Sequence, residues 1–470
     1  MFNEISDARL MHVTQNYVSK NIIDNPHLKT LKGQQLCGSR LIRMTGWTPR
    51  VYILTDDEKS RTFGHTFCSS PWACPRCTPR VMAKYGERIA CAIDALTTKY
   101  NQLAAMFTFT IPHTKGMTCQ ETFDTFKTAW RMFTHNGKGA TITSYYTKKD
   151  GTKSTYHKKG SAYNIMRQEL KSVHNVRVYE FTWGENSWHP HIHALYWFPR
   201  EHFYKCVNYE EKLLDYWWHC AKFSYLKLLN QKHPDKLTEN QKLANDLYAD
   251  WRKKPKTGHR SLWISKDADG SPRVITSSYY LSGWTGDFEL THENSKDARA
   301  KGHYAPFQML EQGYLAKMNG NNELHDKWLK LFCEYAITTK GAIRVQFSQS
   351  DINKIVKEWK QSETYFNNLK KKFTEQETKR KPFKVVVWLS EKQWSELSIL
   401  NRYETISPIA EILDIAKLKK PLEHRRRLIA TYLLSLDIDI TYNDYEDEKS
   451  KFVEQSVFEN KTLNGDNLSA

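Results

Sequence analysis

Histidine recurs at every second position of one run, His189-Pro190-His191-Ile192-His193-Ala194-Leu195-Tyr196-Trp197-Phe198, and the run ends in large apolar residues suited to a buried strand. Side chains alternate between the faces of a strand, so His189, His191 and His193 share one face and Ile192 and Ala194 the other. Same-face neighbours stand roughly 6.5–7 Å apart at Cα, close enough for two imidazoles to converge on one divalent ion and leave coordination positions open. A lone buried histidine is usually a satisfied core residue. Three at period two point instead to a metal, with a structural zinc site as the rival to an open, reactive one. Hard divalent ions also ask for oxygen. Glu180 in the preceding segment Arg177–Trp183 is the expected third ligand, or a group orienting a histidine, because a turn at 184–187 brings it alongside.

The flanking pattern predicts an antiparallel sheet with helices against it. Met82, Ile89, Ile93 and Leu96 are spaced for an amphipathic helix over 81–100, and Met106–Ile111 reads as a buried strand stopped by Pro112. A second helix is expected over 121–133, and 176–199 reads as two strands joined by a turn. Two polar stretches, 145–160 and 230–260, read as exposed basic loops. The expected organisation is an N-terminal cysteine segment (1–80), a central domain (81–350), a helical linker (351–384), an accessory C-terminal domain (385–436) and an acidic, disordered tail (437–470). Residues 1–60 show no clear period.

Lys and Arg number 70 against 52 Asp and Glu, a formal charge of +18, and 13% of the residues are aromatic. An excess of that size favours a polyanionic partner, since each neutralised phosphate releases a condensed counterion. The opening residues contain no apolar run of signal-peptide type, and nowhere do 18 apolar residues follow one another; a cytoplasmic protein without membrane partners, its nine cysteines reduced or metal-bound, is expected. Cys68, Cys74 and Cys77 contain a Cys-x-x-Cys knuckle, the spacing by which two thiolates grip one zinc. The fourth ligand is expected from Cys37 or else His65, and a set of reduced thiols is the alternative. Cys91, Cys119, Cys206, Cys220 and Cys333 stand alone and read as core thiols.

Taken in order, these segments resemble the HUH-class rolling-circle replication initiators of plasmids and phages. Trp188–Phe198 resembles the family's histidine motif, and 105–114 followed by 129–133 is similar to its first motif. Residues 69–77 resemble its cysteine-bearing segment, 277–310 its tyrosine motif, and 331–349 the element near the end of its catalytic region, so the likeness spans roughly 65–350. The resemblance implies an α+β, ferredoxin-like nicking domain in which His191 and His193, with Glu180 and His189, hold Mg or Mn. It implies Tyr280 as the nucleophile that cuts one DNA strand at an origin through a 5′-phosphotyrosine and later rejoins it, with host replication proteins as partners. Tyr279 is a possible second tyrosine. The family's lysine position holds Gly283; Lys296, Arg299 or Lys301 could contact phosphate in its stead if their loop folds back, each being otherwise a solvated charge, and 274–278 lacks the glutamate that some relatives use in termination. A relaxase or transposase of the same class is the first alternative, though relaxases carry the tyrosine before the histidines. A non-catalytic zinc-dependent nucleic-acid-binding protein is the second.

Overall fold

Ser6 accepts a hydrogen bond from the backbone of Arg9, so a helix opens in the very region where the sequence shows no period. The computed structural model of the chain describes residues 6–42, 49–56, 59–112, 114–134, 142–147, 153–158, 162–184, 186–252, 261–277, 302–348, 350–365, 367 and 383–438. The main elements begin with α1 (Asp7–Asn21), β1 (Arg50–Thr55), β2 (Ser60–Phe63), α2 (Cys77–Tyr100), β3 (Gln102–Thr110) and α3 (Cys119–Thr134). They continue with β4 (Ile142–Thr147), β5 (Lys153–Lys158), β6 (Asn175–Gly184), β7 (Ser187–Pro199), α4 (Glu210–Lys232), α5 (Leu237–Arg252) and β8 (Leu262–Ile264). Last come α6 (Pro306–Met318), α7 (Asn322–Thr339), β9 (Val345–Phe347), α8 (Ser350–Lys360), β10 (Lys384–Ser390), α9 (Glu391–Tyr403), α10 (Pro408–Ala416) and α11 (Leu422–Leu434). The architecture is α+β with antiparallel sheets, and among the described residues no helix is long and apolar enough to cross a membrane.

Contacts divide the chain into two units, one of Met1–Ser70, Cys74–Cys77 and Leu369–Ala470, the other of Pro71–Ala73 and Thr78–Asn368. The larger holds a five-stranded antiparallel sheet in the order β8-β3-β7-β6-β9. One face carries Ala104, Met106, Val178, Leu195 and Trp197, which pack with Met82, Ile89, Ile93 and Leu96 of α2 and with Ile352, Val356 and Trp359 of α8. The opposite face is aromatic. Phe109 sits edge-on to Trp130, Phe133 and Trp217 at 5.1 Å between centroids, and the Trp217 indole donates to the Thr110 carbonyl at 2.7 Å, which ties α3 and α4 to β3. In the other unit the sheet runs β10-β1-β2, and Val51, Ile53, Val387 and Leu389 form a core with Trp394, Leu397, Ile412 and Ile429.

Several boundaries differ from the sequence expectation. The stretch 230–260, expected as a loop, includes α5: Leu237 and Leu243 are exposed, which blurs the apolar stripe, while Ala244 and Tyr248 are buried and the Trp218 indole donates to the Tyr248 carbonyl at 2.9 Å. The stretch 145–160, also expected as a loop, takes in the end of β4 and all of β5, which pair antiparallel from Ile142↔Lys158 to Thr147↔Lys153. The stretch 351–384 is no simple linker, because α8 contributes to the larger unit's core. The N-terminal segment and the C-terminal domain, expected apart, share one sheet through the pairing of β1 with β10. Of the tail 437–470, all beyond Ile438 lies outside the described residues.

Candidate functional site

In antiparallel pairs, directly opposed residues present their side chains on the same face. His193 opposes Thr108 on one side and Val178 on the other, His191 opposes Thr110 and Glu180, and His189 opposes Thr182. All these residues therefore lie on the face that carries Met106, Val178 and Leu195. One sheet face thus changes along its length from an apolar floor covered by helices to successive rows of imidazole, hydroxyl and carboxylate.

His193 is buried, and both of its ring nitrogens are engaged: Nδ1 lies 3.0 Å from Thr108 Oγ1 and Nε2 lies 2.9 Å from Glu180 Oε2. Glu180 reaches this contact diagonally across the ladder, past His191, which it directly opposes. The Thr110 hydroxyl donates to the Pro190 carbonyl at 3.2 Å, so its 2.7 Å contact with His189 Nε2 is donated by the imidazole. His191 stacks parallel to His193 at 6.2 Å between centroids and lies 4.2 Å from His189.

These residues suit a divalent ion in one respect. Two ligands at about 2.1 Å on adjacent corners of an octahedron are about 3.0 Å apart, and the His193 Nε2–Glu180 Oε2 separation is 2.9 Å. Yet no three of these side chains bring donor atoms within 4.8 Å of one another; among the described residues only four cysteines do so. The imidazole–carboxylate pair is in place, and His191 or His189 would have to turn toward it.

A further histidine belongs to this end of the sheet. Trp183 and Tyr304 exchange backbone hydrogen bonds of 2.9 and 2.8 Å, so 302–304 lies along the tip of β6. A Cβ on Gly184 would stand 2.9 Å from His303 Nδ1, which places that exposed imidazole over the glycine on the histidine face. Nothing in the local sequence marks His303, since only a contact across more than a hundred residues brings it here. The expected nucleophile Tyr280, its neighbour Tyr279 and the cations Lys296, Arg299 and Lys301 lie outside the described residues.

The cysteines form a second candidate centre. Cys37 Sγ lies 3.5 Å from Cys77 Sγ and 3.6 Å from Cys74 Sγ, and Cys68 Sγ lies 3.6 Å from Cys77 Sγ. Four sulfurs at about 2.3 Å from a zinc ion stand about 3.8 Å apart, so the cluster has the dimensions of a tetrahedral thiolate site. The backbone amide of Cys77 donates to Cys74 Sγ at 3.3 Å and that of Cys68 to Cys37 Sγ at 3.4 Å, contacts that stabilise thiolates. Crowding splits the group: hydrogen bonds from Cys68 to Cys37, and from Cys37 to Cys77, lower those two thiols, while a bond to Cys37 raises Cys68 and burial raises Cys74. Cys37 is thus the fourth member. His65 is not, for its Nε2 faces Thr62 Oγ1 and its ring stacks on Trp394. Cys91, Cys119, Cys206, Cys220 and Cys333 are buried outside the cluster.

Comparison of the chain with protein-family models, with curated proteins and with solved structures finds no match.

Proposed function

We propose that the chain is a metal-dependent DNA nickase of the HUH class that initiates rolling-circle replication, its larger unit serving as a ferredoxin-like nicking domain. The observation that carries this reading is the His193–Glu180 pair, 2.9 Å apart at the head of a period-two histidine strand. Mg or Mn held there, with His191 or His189 completing the set, would polarise the scissile phosphate and stabilise charge on the departing oxygen. The residues of the chain do the rest. Thr108 and Thr110 fix His193 and His189, and the helix-covered floor below keeps that end of the site apolar. The Tyr280 oxygen attacks phosphorus, the P–O3′ bond breaks, the 3′ oxygen leaves as a hydroxyl after taking up a proton, and the 5′ phosphate stays on the tyrosine. The reverse attack by a 3′-hydroxyl rejoins the strand, because phosphotyrosine conserves the bond that water would hydrolyse.

The test is incubation with Mn²⁺ and labelled single-stranded oligonucleotides tiled across the DNA that encodes the protein. The wild type is expected to form an SDS-resistant covalent adduct with one of them, and Tyr280→Phe to bind that DNA without forming it. An adduct that survives the substitution moves the nucleophile to Tyr279 or elsewhere.

A second reading, a zinc-dependent nucleic-acid-binding protein without catalysis, has one observation in its favour: the fully converged metal site is the cysteine tetrad and not the histidine face. Binding with no adduct on any oligonucleotide selects it.

A further inference from the structure

Strand β6 presents its faces to different surroundings. Val178 and Glu180 belong to the histidine face, so Arg177 and Tyr179 belong to the other. On that other side a groove of about 640 Å³ is bounded by α3, α4, β6 and the segment entering β9, within the roughly 300–1,000 Å³ range of ligand clefts. Its charged lining is Lys127, Arg131, Arg177 and Lys227 against one carboxylate, Asp124, which Lys127 already pairs at 2.8 Å.

Arg177 is the unusual member. Its guanidinium lies 5.2 Å from the Trp130 ring and 5.3 Å from the Tyr179 ring, and one of its nitrogens donates to Gln346 Oε1. Its Nε finds no acceptor among the described residues, and burial lowers its pKa. Held against the two rings, the guanidinium keeps a fixed positive charge at the groove wall. Arg131 and Lys227 are exposed and extend the positive lining toward solvent. Trp130, Phe123 and Tyr179 are buried, so bases have no bare ring to stack on, and contact falls to the phosphates; the apolar surface open to a base is Ile343, 62% exposed.

We infer that this groove binds the phosphodiester backbone of single-stranded DNA, as a site separate from the histidine face and on the opposite side of the same sheet. The choice of DNA over other polyanions rests on the function proposed above; the demand for a polyanion rests on the groove itself. Phosphate contacts of this kind hold and orient a strand without reading its sequence.

The test is fluorescence anisotropy of fluorescein-labelled dT20 with the full-length protein over a range of salt, comparing the wild type with Arg131→Glu/Lys227→Glu. Loss of two phosphate contacts is expected to weaken binding about tenfold or more at low salt and to make the slope of log K against log salt shallower by about 1.4. Melting should be unchanged, because both side chains are exposed. Arg177→Gln, which removes the charge and shortens the side chain while keeping an N–H donor, should likewise weaken binding. Wild-type affinity and slope in both variants would overturn the inference, and so would displacement of dT20 by an equal charge concentration of polyglutamate, which would mark a dock for acidic protein. A wild type that forms no tyrosine adduct on any oligonucleotide, while the variants still lose dT20 binding, defeats the nickase and leaves the groove standing.

Discussion

Glu180 is held to His193 by register rather than by neighbourhood in the chain. It directly opposes His191, yet its carboxylate crosses diagonally to His193 Nε2 at 2.9 Å, while Thr108 takes the other nitrogen. Both side chains are nearly covered, at 11% and 14% exposure, so exchanging their hydrogen bond for a metal ion trades one buried polar contact for another. Glu180→Gln keeps the shape and the capacity to bond His193 but removes the charge. Mn²⁺ affinity, measured by calorimetry, is expected to fall by about 10–100-fold with little change in melting temperature. Undiminished affinity would take Glu180 out of the metal set. At this scale the sequence was informative: period two named the three histidines, and one tight turn named the glutamate. It could not say that His191 and His193 stack in parallel at 6.2 Å, because ring rotation follows from neighbours on other strands.

The β6–β7 hairpin is the element on which the site depends, and most of it was legible. Runs of alternating residues bounded by a glycine turn predict two strands, and the pairing runs from Asn175↔Tyr196 to Gly184↔Ser187. The arrival of 302–304 at the hairpin's tip was not legible, since it depends on Gly184 leaving a space that the His303 ring fills. Gly184→Ala would set a methyl group 2.9 Å from His303 Nδ1, closer than side chains pack. The expected result is displacement of the segment, read by mass spectrometry as faster amide exchange at Trp183 and Tyr304 with protection of β3 and β7 unchanged. Unchanged exchange at those two amides would show that the ring yields without moving the backbone. Helix α5 went unseen for the opposite reason: its anchors, Ala244 and Tyr248, are few, and two exposed leucines break the stripe by which a helix is recognised.

For the whole molecule, the division into two units places the two candidate metal centres in different bodies of the chain. The tetrad gathers Cys37, Cys68, Cys74 and Cys77 in the unit whose sheet joins β1 to β10, strands separated by more than three hundred residues. One zinc ion per purified chain is expected by elemental analysis. Structural zinc contributes on the order of 10 kcal/mol to folding of small zinc-dependent domains, so chelation or Cys68→Ser should accelerate amide exchange across 6–42, 49–70 and 383–438. Exchange across 78–112 and 175–199 should hold. Acceleration confined to the immediate neighbourhood of the cysteines would mean that the apolar core around Trp394 carries that unit without the metal.

Sequence alone determined what local order can encode. Side-chain period assigns a face, glycine and proline assign a turn, and a two-residue gap between cysteines assigns a knuckle. Tertiary structure decided what depends on distances between remote segments. It chose Cys37 over His65, because the Cys37 sulfur stands 3.5 and 3.6 Å from those of Cys77 and Cys74, whereas His65 turns its Nε2 to Thr62 and stacks on Trp394. It joined the two ends of the chain in one sheet, added His303 to the histidine face and opened a basic groove behind it. Burial and close packing set those distances, and they act between residues that the order of the chain leaves far apart.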